Sequence, residues 1–187
     1  MIVRQLYGGP LPKTGGVISL VGAGGKTTLM FRMARELSAA GETVLTTTTT
    51  RICRPEAAQS AHVVVAAQPA AALPALARRL RQARHVTAAA GCISEGDKLA
   101  GYPPESVDAF RAAGLFRWIL VEADGAGQRP LKAPAAQEPV IPVCSDWVIA
   151  VAGLAAVGRP LDARWVFRPE RFGALAGISA GDPVTPE

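Results

Sequence analysis

The 187-residue chain is 49% apolar and 19% charged, enough to bury one core of ordinary domain size and too evenly mixed to be disordered by composition. No apolar run reaches the roughly 18 residues of a membrane span. Three scattered cysteines (Cys53, Cys92 and Cys144) form neither a C-x-x-C site nor a disulfide framework. A net charge of +5 with 5% aromatic residues suits a small anion better than a nucleic-acid groove, where basic clusters interleave with aromatics.

The first ten residues lack the basic segment and unbroken apolar stretch of a signal peptide, which points to a reduced, cytoplasmic protein with no membrane or nucleic-acid partner. The basic residues divide into 16 Arg and four Lys. Two of those lysines, Lys26 and Lys132, fall in the motifs below. The densest basic stretch, Arg78 to Arg84, lies in an Ala/Leu helical pattern and reads as a solvated face.

In chain order, an apolar strand over 17–21 is followed by a helix over 26–40. A strand over 43–48 and another over 62–66 precede a helix over 70–83, with Pro74 in its first turn or at a kink. Next come a strand over 86–90, a helix over 105–113, and strands over 118–123 and 147–151. Alternation of this kind predicts βαβ units. The expected fold is a single three-layer α/β domain over 1–187 of the P-loop NTPase type, its mostly parallel sheet flanked by helices. Residues 1–16 form a lead-in. The stretch 124–142, rich in Pro, Gly and Ala, is long enough to be a functional loop. Ligands of such sheets bind at the carboxyl ends of the strands, so each motif is tested for lying just after one.

The first motif, V-I-S-L-V-G-A-G-G-K-T-T (17–28), does. Gly22, Ala23, Gly24 and Gly25 form a turn whose N–H groups can point inward, and Lys26, Thr27 and Thr28 open a helix whose N-terminus favours anions. Lys26 suits the β/γ-phosphates of ATP or GTP and Thr27 suits Mg²⁺. The loop is two residues shorter than G-x-x-x-x-G-K-[ST], because position 20 is Leu.

The second motif is the run of five threonines ending at Thr50, with Arg51 after it. Strand propensity accounts for each threonine alone, but five consecutive hydroxyls break the alternation of a half-buried strand. Thr48 and Thr49 are positioned either to face a γ-phosphate or Mg²⁺ or to bond their own backbone. Arg51 can supply charge to a transferring phosphoryl group. The third motif, W-I-L-V-E-A-D-G-A-G (118–127), ends a near-continuous apolar run in Glu122 and Asp124. They share one side of an extended chain, and a carboxylate there suits Mg²⁺. Asp124, which with Gly127 gives a D-x-x-G spacing, is the preferred ligand; Glu122 is the second metal candidate, placed to position the attacking water or a second metal water.

Together with E-A-D-G-A-G-Q-R-P-L-K-A-P-A-A-Q-E-P-V-I-P, G-D-K-L-A-G (96–101), V-A-G-L-A-A-V-G-R-P-L (151–161) and F-R-P-E, these segments resemble the YqeC-type proteins over nearly the whole chain from Val17. Those proteins are described as accessory proteins of selenium-dependent molybdenum hydroxylases and as selenium cofactor biosynthesis proteins. The resemblance therefore implies work in cofactor assembly, with a small-molecule or cofactor substrate and a molybdenum hydroxylase or its maturation proteins as partners. The residues themselves leave three activities open: an Mg²⁺-dependent NTPase, an ATP-dependent small-molecule kinase or ligase, and a non-catalytic nucleotide sensor. Lys132 and Glu138, on the Pro-stiffened loop, either close over a substrate as part of a lid or form a salt bridge that holds the loop.

The family pattern has His before E-P and before the later Arg; here those positions hold Gln137 and Phe167, so no histidine role transfers. His62 and His85 begin apolar strands and read as structural. Relatives run on past the position of Glu187, so the C-terminus reads as truncated relative to them. No N-K-x-D segment is present to separate guanine from adenine.

Overall fold

A computed structural model of the protein describes residues 14–93 and 97–186. Most of the lead-in expected over 1–16, and Gly96 of the G-D-K-L-A-G run, lie outside these. The elements begin with β1 (Gly16–Gly22), α1 (Lys26–Ala39), β2 (Val44–Thr48), β3 (Arg51–Cys53), β4 (Val63–Val65), α2 (Pro69–Leu80) and β5 (His85–Ala89). They continue with β6 (Gly91–Ile93), β7 (Lys98–Ala100), α3 (Ser106–Ala112), β8 (Trp118–Glu122), β9 (Leu131–Lys132), β10 (Trp147–Val151), β11 (Val166–Phe167) and α4 (Pro169–Ala176).

Six strands form a central sheet in the order β10-β1-β8-β2-β5-β4, and every pairing in it is parallel. Both faces are covered. Ile18, Leu20, Val44, Trp118 and Leu120 pack against Met30, Met33 and Leu37 of α1. Their sequence neighbours Val17, Leu45, Ile119 and Val121 pack on the opposite face with Leu76 of α2 and Val107 and Phe110 of α3. Strands buried on both sides must be apolar at successive positions, which is why W-I-L-V reads as a continuous run. The result is the expected α/β layering, helices on both faces of a parallel sheet.

Pro74 lies inside α2, which runs through it. His85 is structural: its Nε2 is 2.9 Å from the Thr46 hydroxyl, and burial pushes its pKa down to about 4. Three features go beyond the expected elements. β3, β7 and β6 form a separate antiparallel ribbon, β9 pairs with β11, and α4 follows directly. Strands of two or three residues are too short to show a period. Helix α4, by contrast, carries a local signature in Pro169 at its start and Gly177 just past its end.

Strand register decides what meets at the carboxyl ends. Glu122 of β8 is level with Leu20 of β1 on one side and Thr48 of β2 on the other. The glycine loop after β1, the acidic end of β8 and the threonine end of β2 therefore emerge together. Leu120 is fully buried in this central strand. Leu120→Ala should cost about 2–5 kcal/mol, read in urea as a lower midpoint at unchanged slope.

Candidate functional site

The glycine loop begins where β1 leaves the sheet, and Gly24 shows why glycine is needed. Its φ is +74°, and a Cβ there would stand 2.5 Å from the Gly153 backbone and 2.6 Å from the Pro130 carbonyl. The loop is thus packed against the V-A-G-L segment after β10, which is tied to it by the Ala23 N–H donating to the Val151 carbonyl (2.8 Å). Gly22 N–H donates to Asp124 Oδ2 (3.0 Å). Among the described residues, the next five backbone N–H groups, from Gly24 to Thr28, donate to nothing in the protein, and no side chain caps α1. The last four, from the N-cap Gly25 onward, are the orphan donors of a helix N-terminus, and all five residues line a cavity of about 840 Å³.

Lys26 and Thr27 stand at the edge of that row of donors. Lys26 is 5% exposed; its ammonium donates to the Gly22 carbonyl (2.7 Å) and lies 3.9 Å from Glu122 Oε1. Burial lowers its pKa, against the opposing pull of Glu122 and Asp124. The Thr27 hydroxyl donates to Glu122 Oε2 (2.6 Å). Burial raises the Glu122 pKa, opposed by the Thr27 hydrogen bond and the Lys26 charge.

The two carboxylates have different partners. Asp124, preferred from the sequence as the metal ligand, already accepts the Gly22 N–H and the Lys132 ammonium. Glu122 is the carboxylate in contact with Thr27. A hydroxyl beside one carboxylate fits Mg²⁺, which keeps several waters and takes few protein ligands. Among the described residues no group of three or more His, Cys, Asp or Glu forms a metal cage.

Lys132 is a brace. Its side chain is 2% exposed and bonds to Asp124, to the Gly125 carbonyl (2.7 Å) and to Glu138 Oε2 (2.6 Å). Glu138 in turn receives both arms of Arg168 (2.7 and 3.0 Å), which also holds the Ala133 carbonyl. The Arg168 hydrogen bonds hold the Glu138 pKa down at about 2. The 124–142 segment is therefore no free lid. Gly125 to Arg129 face the cavity, while further along Pro130, Leu131, Ala133 and Val140 are fastened by backbone hydrogen bonds to Gly153, Trp165, Phe167 and Ala123. Its small apolar residues could form no core of their own and had to dock.

Thr48 and Thr49 also turn inward. Thr48 Oγ1 donates to the Glu122 carbonyl (2.8 Å) and Thr49 Oγ1 to the Val140 carbonyl (2.6 Å). Both hydroxyls thus donate to the backbone of distant segments rather than to their own, with only Thr48 Oγ1 also accepting a local N–H, that of Thr50 (3.0 Å), and it is Thr50 and Arg51 that line the cavity. Gly127 lines it as well; Gly22 and Ala23 sit behind it as scaffold. Sequence reasoning did not assign Lys98, Gln128, Phe167 or Arg168 to this cavity. Among the described residues three non-glycines have positive φ, and two of them, Gln128 and Arg168, line it, while Asp97 immediately precedes Lys98. Such strain concentrates at functional sites. For Lys98 the available signal was the scarcity of lysine.

Replacing Lys132 by Ala should destabilise the protein by about 3–5 kcal/mol, since it leaves Asp124 buried and unpaired; chemical denaturation measures it. Because folding depresses the Glu138 pKa from 4.5 to about 2, its contribution is complete above pH 4.5 and is lost as pH falls through about 2. A Glu138→Gln variant should show a smaller loss of stability over that interval than the parent.

Comparisons with known proteins place this geometry in a family. The model of the YqeC protein family matches residues 18–170, from inside β1 to the start of α4. A protein of Escherichia coli (strain K12) described as "Uncharacterized protein YqeC" is 39% identical over 165 residues, covering 87% of this chain. The chain spans 61% of that relative's length. No solved structure matches significantly. No helix among the described residues is long and apolar enough to cross a membrane. The match runs through the glycine loop, the Glu122–Asp124 strand end and the Lys132–Glu138–Arg168 brace, and by it the chain belongs to the YqeC family.

Proposed function

We propose that the chain binds a nucleoside triphosphate, ATP or GTP, with Mg²⁺ in the glycine-loop cavity and acts on its terminal phosphoryl group, in the manner of a P-loop NTPase. The observation that carries this reading is the unbroken row of five unpaired N–H groups from Gly24 to Thr28, with a buried lysine and a Thr27–Glu122 pair beside it. Backbone donors at a helix N-terminus suit phosphate oxygens. Lys26, held against Gly22 and Glu122, is within reach of the same oxygens as a point charge. Thr27 and Glu122 would hold Mg²⁺, which when bound neutralises charge on the phosphates. Gly127, on the cavity wall, is positioned by the D-x-x-G spacing to sense the terminal phosphate.

Family membership extends the proposal to context: a cytoplasmic accessory factor in selenium and molybdenum cofactor assembly, with a selenium-dependent hydroxylase or its maturation proteins as partner. An ATP-dependent kinase or ligase is the second reading, and one observation favours it. The cavity continues past the loop onto the β3–β7 ribbon, which offers room for an acceptor.

Lys26→Ala should weaken nucleotide binding roughly tenfold or more, as expected for loss of a charge-assisted contact of about 1.5–3 kcal/mol. Calorimetric titration with ATP and GTP tests this, and equal affinity in variant and parent would falsify the phosphate-loop reading. Mg²⁺ requires ionised Glu122, and burial raises that residue's pKa. Mg²⁺-dependent affinity should therefore be full well above the ordinary glutamate range and fall off with acidification at a higher pH than an exposed glutamate would give. In Glu122→Gln that pH step should be absent.

A further inference from the structure

We propose that the cavity takes a second small anion, presenting carboxylate or phosphate oxygens, on the Arg51–Lys98 face of the β3–β7 ribbon. The inference rests on the nucleotide reading above, since it assigns the other half of the same cavity.

Five cations line the cavity: Lys26, Arg51, Lys98, Arg129 and Arg168. Three are already held. Lys26 is tied to Gly22 and Glu122, Arg168 to Glu138, and Arg129 donates to the carbonyls of Ala163 and Gly127. Arg51 and Lys98 have no side-chain partner among the described residues, and both are exposed. Their backbones set them side by side. In the antiparallel register Arg51 opposes Ala100 and Cys53 opposes Lys98. Arg51 and Lys98 are therefore diagonal neighbours on one face, while Ile52 and Leu99 are buried on the other.

The backbone that carries these charges is anchored to the sheet. The Gly101 N–H donates to the Thr50 carbonyl (2.6 Å) and the Tyr102 N–H to the Thr48 carbonyl (2.9 Å), which anchors β7 to the end of β2. Two like charges held together repel, and an oxyanion between them satisfies both. An Arg fork beside a Lys point charge is chemistry suited to carboxylate and phosphate. Among the described residues the acids in the cavity lining are Glu122 and Glu138, and both are engaged by cations or Thr27 already, so neither is free to neutralise the ribbon.

The test titrates inorganic phosphate into the full chain saturated with Mg²⁺ and a non-hydrolysable ATP analogue. The expected result is one equivalent of phosphate bound alongside the analogue. Lys98→Glu should abolish that binding and leave analogue affinity unchanged, and Arg51→Ala should weaken phosphate roughly tenfold or more. Circular dichroism confirms that the variants are folded. Displacement of phosphate by the analogue, or equal phosphate binding in Lys98→Glu, overturns the proposal. Loss of analogue binding in Lys98→Glu overturns it too, because the ribbon would then be reading the nucleotide's own phosphates. Failure of the nucleotide reading is seen separately, as unchanged analogue affinity in Lys26→Ala; phosphate titrated without analogue still reports on the ribbon in that case.

Discussion

The carboxylate of Asp124 holds the site together. One oxygen accepts the Gly22 N–H at the root of the glycine loop and the other accepts the Lys132 ammonium. From Lys132 the chain of contacts passes to Glu138 and then to Arg168 at the head of α4. Segments more than a hundred residues apart in sequence are thereby fixed to the carboxyl end of one strand. A buried ion pair contributes little net stability against a well-packed apolar alternative. What it contributes here is position, because each partner would be left charged and unpaired by any displacement.

Two carboxylates of the site, Glu122 and Glu138, consequently live in different surroundings. Glu122 is buried against a hydroxyl and a lysine 3.9 Å away, so burial dominates and its pKa rises. Glu138, reached through Lys132, sits among cationic hydrogen-bond donors, so its pKa falls to about 2. The lower acid is a permanent anion that serves structure. The upper one retains affinity for a proton or a cation, which suits the metal role proposed for it.

Much of this was legible from residues alone, wherever an element was long enough to show its period. The two-sided burial of W-I-L-V, the Lys26 helix and the six strands of the main sheet follow from apolar runs and glycine punctuation. The glycine loop and the acidic strand end were found because each lies directly after a strand. The different surroundings of Glu122 and Asp124 were not legible, because they depend on which carboxylate the Gly22 N–H and the Lys132 ammonium reach. Nor was the inward turn of Thr48 and Thr49: both hydroxyls meet carbonyls of residues 74 and 91 positions away. The ribbon escaped notice for a simpler reason. Three-residue strands with at most one buried residue each, Ile52 in β3 and Leu99 in β7, carry no periodic signal.

The close approach at Gly101 sets a dimension. A Cβ there would lie 2.5 Å from the Thr50 nitrogen and 2.6 Å from the Thr48 carbonyl oxygen, main-chain atoms that have no rotamer to give way. The ribbon is thus seated on the end of β2 by backbone against backbone. Any molecule held between the ribbon and the glycine loop would meet a span set by main chain, while the side chains lining it set the chemistry of the grip.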